Sequence, residues 1–206
     1  MDFAVLLSFA ATSLILAAAP GPDILFVLAQ SAQSGARAGL SVVVGLMIGC
    51  LIQTAAAAAG LAAVVAASPV LFLTIRLVGA AYLLYLAWMA WSAPVCTQGA
   101  QVQHASSAAL LRRGIIMNVT NPKVQIFFLA FFPQFATKGA AGLRMALEMG
   151  LLGVIFTLCA FAVMSSCALF AGALADKIRS PKVQRVLNKG SALIFLCLAV
   201  AAVAAQ

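Results

Sequence analysis

Asp23 and Lys123 each stand in the first turn after a proline-containing break in otherwise apolar sequence, Pro20-Gly21-Pro22 and Asn121-Pro122. Proline has no N–H, so Pro20 and Pro22 leave the carbonyls of Leu16 and Ala18 without their helical partners, and Gly21 permits backbone angles closed to other residues. The upstream half of such a split helix ends in carbonyls suited to an ammonium. The downstream half begins with N–H groups suited to a carboxylate, so a zwitterion matches both. The second break has the same ingredients: Asn121 is a good N-cap, Pro122 fits a first helical turn, and its ring frees the carbonyl of Asn118.

At these positions the helix dipole favours Asp23 and disfavours Lys123 by about 0.3–1 kcal/mol. An ionisable side chain at mid-membrane costs roughly 2.5–3.5 kcal/mol or more, and such groups face a cavity or pair with each other. The expectation is that Asp23 and Lys123 lie near one central cavity and pair when it is empty, and that one or both meet substrate or take part in proton coupling. The competing reading makes the prolines packing kinks and lets the two charges snorkel to an interface. Asn118, Thr120, Asn121, Gln125, Gln53 and Thr54 are further polar candidates; the last three serve equally well as glue between helices.

The elements that must position these groups follow from composition. Of 206 residues, 65% are hydrophobic and 8% charged, with a mean hydropathy of +1.15, too little polar surface to enclose a water-soluble core. Charge-free runs at 3–22, 38–75, 77–111 and 149–175 reach or exceed the ~20 residues that one bilayer crossing needs. The chain reads as an all-α, polytopic membrane protein. Breaking the runs at proline, glycine and charge predicts six helices: 3–30 with a break at 20–22, 38–67, 69–91, 110–135 with a break at 121–122, 143–175, and 189–205. Ala17-Ala18-Ala19 resembles a signal-peptide cleavage site, but Asp2 replaces the basic start and Pro20 follows it, so the first segment is expected to stay uncleaved.

Loops one, three and five hold Arg37, Arg112, Arg113, Lys177, Arg179, Lys182, Arg185 and Lys189, whereas the other face holds Arg76, Lys138 and Arg144. Basic loops are cytoplasmic, which places both termini in the periplasm. Trp88 and Trp91 then fall at the cytoplasmic boundary as an aromatic belt, and with Tyr82 and Tyr85 they form a packing stripe at three-residue spacing. Three crossings per half would insert the second half upside down. Sliding the chain by 100 residues lays Pro22-Asp23 on Pro122-Lys123, and both halves continue into a Gly-Leu start of the next helix, Gly39-Leu40 and Gly142-Leu143. This is the pattern of two inverted three-helix repeats, about 1–93 and 108–206, whose interrupted helices mark the binding site within a single transporter domain. Gly35, Gly39, Gly45 and Gly49, with the small residues from Ala55 to Gly60, predict close helix packing within the monomer or between subunits of a homo-oligomer.

Net charge +8 does not make a nucleic-acid interface, because the bases cluster in short loops and do not interleave with aromatics. Cys50, Cys96, Cys159, Cys167 and Cys197 form no CxxC pair, and His104 sits in a polar segment. No metal cluster, nucleophile–base pair or nucleotide loop is present, so neither an enzyme nor a cofactor is expected.

Taken together, the motifs resemble the LysE/RhtB family of amino-acid exporters. The resemblance runs through Ala19-Pro20-Gly21-Pro22; Gly35-Ala36-Arg37-Ala38-Gly39-Leu40; Arg76-Leu77-Val78-Gly79-Ala80-Ala81-Tyr82-Leu83-Leu84-Tyr85-Leu86; Asn118-Val119-Thr120-Asn121-Pro122-Lys123; and Phe132-Pro133-Gln134-Phe135. It implies a bacterial inner-membrane exporter of amino acids or close derivatives, working by proton exchange, with the Pro-Gly-Pro and Asn-Pro-Lys segments in the translocation region. Two departures stand out: Gln125 is polar where a small or apolar residue is implied, and the last helix has no glycine after Gly190. One charge crossing ~100 mV provides about 2.3 kcal/mol, enough for a tenfold solute gradient at about 1.4 kcal/mol. Asp23 is the first choice for the titrating group and Glu148, near the outer end of its helix, the second. Two other classes stay open: a passive small-solute channel, and a membrane thiol–disulfide electron carrier using Cys50 and Cys159.

Overall fold

Proline and glycine divide the first apolar run where the sequence predicts. The computed structural model describes residues 1–19, 21–67, 69–93, 105–137, 139–171 and 180–204; Pro20, Ser68, Cys96, His104, Lys138, Asp176, Lys177 and Arg179 lie outside them. Helix α1 spans Phe3–Ala18 and α2 spans Pro22–Ser34, their axes meeting at 58°. Gly35, at φ 86°, ends α2 in a conformation that favours glycine and donates its N–H to the Ser31 carbonyl at 2.9 Å. The chain turns at once into α3, Ala36–Ala67, followed by α4, Pro69–Ser92.

The second half departs from the predicted boundaries in three places. Helix α5, Ser107–Val119, starts three residues early because the Ser106 hydroxyl caps it, accepting the Ala109 N–H at 3.3 Å. After α6, Pro122–Ala130, the run expected to stay helical to 135 tightens into a 3₁₀ turn at Phe132–Phe135 containing Pro133. Helix α7 spans Gly142–Leu169. Helix α8, Pro181–Ala204, begins eight residues ahead of expectation. Its first turns carry Lys182, Arg185 and Lys189 on the exposed side, charges that read as a loop in the sequence.

Among the described residues, α3 over Ala36–Gly60 and α7 are each long and apolar enough to cross a membrane, and the bent α1–α2 pair is so when its two helices are taken together. Helix α3 is the hub, packed on α2, α5 and α7. Its contact with α5 is backbone on backbone: a Cβ on Gly45 would stand 2.1 Å from the Leu111 carbonyl oxygen, and one on Gly114 2.4 Å from that of Val42. One turn on, Gly49 meets Ile115 and Asn118. Residue numbers rise together along this seam, so α3 and α5 run parallel and start at the same end, with Arg37 in the first turn of α3 and Arg112 and Arg113 in the first half of α5. Arg113 lies over the Phe26 ring there, 4.5 Å from its centroid.

Against α7 the register runs the other way. Gly39 meets Ala168, Cys50 meets Thr157, and Thr54 fills the notch at Gly153; each pair sums to 207, so α3 and α7 are antiparallel. The outer pair, α4 and α8, is antiparallel as well: Asn188 Nδ2 donates to the Ala93 carbonyl at 3.4 Å and Lys189 Nζ lies 5.3 Å over the Trp91 ring. Behind α6, the rings of Phe9, Phe127, Phe128, Phe131, Phe132, Phe135 and Phe156 pack with centroids 4.2–6.4 Å apart, mostly in the edge-to-face arrangement that aromatic quadrupoles favour.

Candidate functional site

The two breaks lie side by side. Asn121 Nδ2 donates to Asp23 Oδ2 at 3.0 Å, joining residues 98 apart in the chain. Asp23 is 7% and Asn121 8% exposed. The bond spans the start of α2 on one side and the α5–α6 junction on the other, and it lies on a cavity of about 50 Å³.

At the first break Gly21 caps α2 without a side-chain acceptor, and Asp23 is the acidic residue of the first turn, where the helix dipole favours its charge. Leu16, whose carbonyl Pro20 was expected to free, accepts the Ala19 N–H at 3.2 Å. At the second break the Asn121 carbonyl starts α6, accepting the N–H groups of Val124 and Gln125 at 3.1 and 3.2 Å. The Asn118 carbonyl, freed by Pro122, accepts the Asn121 N–H at 3.0 Å and the Gln53 Nε2 at 2.8 Å. Gln53 therefore holds the broken backbone from behind, on α3.

Of the residues singled out from sequence, Gly21, Pro22, Asp23, Cys50, Asn118 and Asn121 line the cavity. Gln53 lies one layer behind. Thr120 and Gln125 are exposed; Thr120 donates to the Ile116 carbonyl of α5 at 2.7 Å, and Gln125 Nε2 reaches back across the break to the Val119 carbonyl at the end of α5 at 2.7 Å. Pro20 and the Lys123 side chain fall outside the described set, and so does their expected share in the site. The apolar wall is formed by Met47, Val124, Phe127, Phe156, Ala160 and Met164 with Leu16, Ala17, Ala19 and Ile24. Sequence reasoning did not single these out, because an apolar residue in an apolar helix carries no signal of which way it faces. The Asn118 Oδ1 is buried without a hydrogen-bond partner, a cost of about 1–3 kcal/mol unless water or a solute ammonium donates to it.

The arrangement thus joins a carboxylate, two amide side chains and a break in the backbone at one end of a chamber whose other walls are apolar. Such a chamber recognises a small amphipathic solute by its polar end. At about 50 Å³ it is well below the ~150 Å³ of a cavity that takes a benzene, so an amino acid enters only if the helices part.

The remaining polar groups have structural partners. Glu148 accepts the Thr137 N–H at 2.8 Å, the Thr137 hydroxyl at 2.8 Å and Arg144 Nε at 3.2 Å, tying the loop before α7 to its first turns. Glu148→Gln is expected to lower the melting temperature, by the equivalent of about 1–3 kcal/mol, while transport per folded molecule stays within about twofold. Thr157 donates to Cys50 Sγ at 3.3 Å or to the Gly153 carbonyl at 2.7 Å, and Cys159 reaches instead towards Ala10 of α1, its Sγ 3.8 Å from that carbonyl. Residues two apart point to opposite sides of a helix, so Cys50 and Cys159 do not face each other. Among the described residues no group of three His, Cys, Asp or Glu side chains is placed to hold a metal.

Apolar spans around a small chamber with interrupted helices at its centre define a membrane transporter. The LysE type translocator family matches residues 14–206, and the chain belongs to that family. Among its relatives, a leucine efflux protein of Enterobacter sp. is 33% identical over 86% of this chain and 83% of its own. A homoserine/homoserine lactone efflux protein of Salmonella typhimurium is 29% identical over 95% and 94%, and an uncharacterized membrane protein of Vibrio cholerae 33% identical over 92% and 91%. No solved structure matches. The named relatives are efflux proteins, and the chain is a translocator and not an enzyme.

Proposed function

We propose that this translocator exports amino acids or close derivatives across the bacterial inner membrane in exchange for protons, with Asp23 as the proton-binding group and the Asp23–Asn121 chamber as the solute site. The observation that carries the reading is the bond between Asp23 and Asn121 over the cavity. It brings the two breaks together, and on this reading a solute ammonium and a proton compete for the carboxylate. Gly21, Pro22, Asn118 and Asn121 supply the polar contacts and Gln53 fixes the carbonyl of Asn118; Pro20, Pro122 and Lys123 complete the two broken segments. The printed functions of the relatives, leucine efflux and homoserine/homoserine lactone efflux, point to the same solute class.

The body is read as six crossings in two inverted three-helix repeats. Two contacts support this. Under a shift of 103 residues, the offset of Gly39-Leu40 from Gly142-Leu143, the contact Thr54–Gly153 becomes Thr157–Cys50, which is also present. Thr54 and Thr157 even make the same bond, to the carbonyl four residues back, at 2.9 and 2.7 Å. Antiparallel pairing of α3 with α7 and of α4 with α8 is what a two-fold axis in the membrane plane demands. Both termini are read as periplasmic, because α3 and α5 start at the same end with Arg37, Arg112 and Arg113.

A deletion strain fed dipeptides of one amino acid at a time should accumulate the cognate amino acid at least about tenfold over wild type, and a protonophore should remove the difference by stopping export. No accumulation of any amino acid overturns the reading; export that persists without the proton gradient identifies a channel. A cysteine-free variant with alanine at Cys50, which lines the chamber, is expected to export at the wild-type rate within about twofold, since that buried thiol acts as a small apolar group.

A further inference from the structure

Helix α2 carries a second set of buried polar groups beyond the cavity. Asp23, Val27, Gln30, Ser31 and Ser34 follow one another at helical spacing along one face. Gln30 is 0% and Ser31 5% exposed. Gln30 donates through Nε2 to the Ser34 hydroxyl at 3.1 Å, but its Oε1 has no partner. Neither has the Ser31 hydroxyl, which occupies the notch of Gly39 on α3 beside Ala168 of α7. Ser165, one turn before Ala168, likewise has an unpartnered buried hydroxyl. Two of these orphaned polar atoms thus lie on α2, seven and eight residues and so about 10–12 Å from Asp23, towards the end that carries Arg37, and the third lies on α7 one turn from the residue that Ser31 and Gly39 meet.

Buried polar groups without protein partners are normally met by ordered water. Between this level and the cavity the stripe has a single apolar member, Val27, at 0% exposure. The corresponding helix of the other half is built differently: α6 and the 3₁₀ turn present Phe127, Phe131 and Phe132, each buried and ring-packed. One half leads away from the chamber along amides and hydroxyls, the other through phenylalanine.

We propose that the Gln30–Ser31–Ser165 cluster lines a water-filled access path from the Arg37 end of the protein to the Asp23 chamber, with Val27 as its constriction, while the phenylalanine cluster closes the opposite end. The proposal rests on the reading of the chamber as the solute site.

Single cysteines at Ser31, Ser165 and the exposed Leu25 in a cysteine-free chain test it, modified by a small charged thiosulfonate, which forms a mixed disulfide and releases sulfinate, added to one or the other face of membrane vesicles. Thiolate forms readily only where water reaches, so Ser31→Cys and Ser165→Cys are expected to react at least about tenfold faster than Leu25→Cys, and only from the Arg37 face, with Val27→Trp slowing reaction at a cysteine placed at Asn118. Rates no higher than that of Leu25→Cys, or equal from both faces, overturn the path. Gln30→Leu gives an independent reading. If the site is dry, removing an unpartnered amide raises the melting temperature with export unchanged, which overturns the proposal; if it is wet, the melting temperature does not rise and export slows. Amino-acid export by chains whose cysteines stay unreactive removes the path alone. Reaction as expected in a chain that exports no amino acid keeps the path and removes the export reading.

Discussion

Asp23→Asn is expected to lower amino-acid export by about 10- to 100-fold, the equivalent of the 1.5–3 kcal/mol of a hydrogen bond to a charged group, with the protein inserted at wild-type levels. Asparagine keeps the size of aspartate and still accepts a bond from Asn121, so packing at the junction survives and the loss reports the charge. Removing a buried ionisable group also relieves an insertion cost, so the variant should be no less abundant in the membrane. Efflux from preloaded cells, normalised to membrane-inserted protein, measures the effect. Asn121→Leu should cost less than Asp23→Asn, since the carboxylate remains. A double-mutant cycle of the two should be non-additive, because the residues touch. Wild-type efflux in Asp23→Asn would remove Asp23 from the mechanism.

Gly45→Val and Gly114→Val are expected to be the most destabilising single changes in the helix core. Even an alanine Cβ at Gly45 would lie 2.1 Å from the Leu111 carbonyl oxygen, and at Gly114 2.4 Å from that of Val42. The obstacle is backbone, which cannot rotate aside as a side chain can, so α3 and α5 must separate along their length. Overpacking of this kind costs about 1–3 kcal/mol or more, and the separation also pulls Gln53 from the Asn118 carbonyl. Melting of the detergent-solubilised variants, with loss of export, is the readout. Gly60→Ala in the same helix is the matched control: nothing stands within 4 Å of its Cβ, so only the helix propensity of alanine acts, a gain of up to about 1 kcal/mol. Equal melting temperatures for Gly45→Val and Gly60→Ala would show that the seam is not tight.

The sequence announced those features that depend on neighbouring residues alone. Pro20-Gly21-Pro22 and Asn121-Pro122 cannot continue a helix, so both breaks were legible, and with them Asp23, Asn118 and Asn121 at the chamber. The glycine ladder of α3 was legible as a packing face, though not the identity of its partner, because the contact with α5 closes across about 65 residues of chain. Direction of facing was the blind spot. Thr120 and Gln125 are as polar as Asn118, yet a rotation of less than a turn carries them to the exposed side, while Phe156 and Met164 on α7 become chamber wall. The start of α8 was missed for a different reason: its charged first turns satisfy a loop pattern, and only packing on the end of α4, through Asn188 and Lys189, makes them helix.

One chamber, lined from both broken helices, is the proposed seat of the exported solute. Met164 contributes to its wall from α7, outside the polar contacts, so a Met164→Cys variant in a cysteine-free chain reports occupancy without touching the charged group. Alkylation of that cysteine should stop export, and the exported amino acid, at concentrations that saturate export, should slow alkylation several-fold, whereas an amino acid that is not exported should leave the rate unchanged. Alkylation at the same rate with and without saturating solute would contradict this placement of the solute.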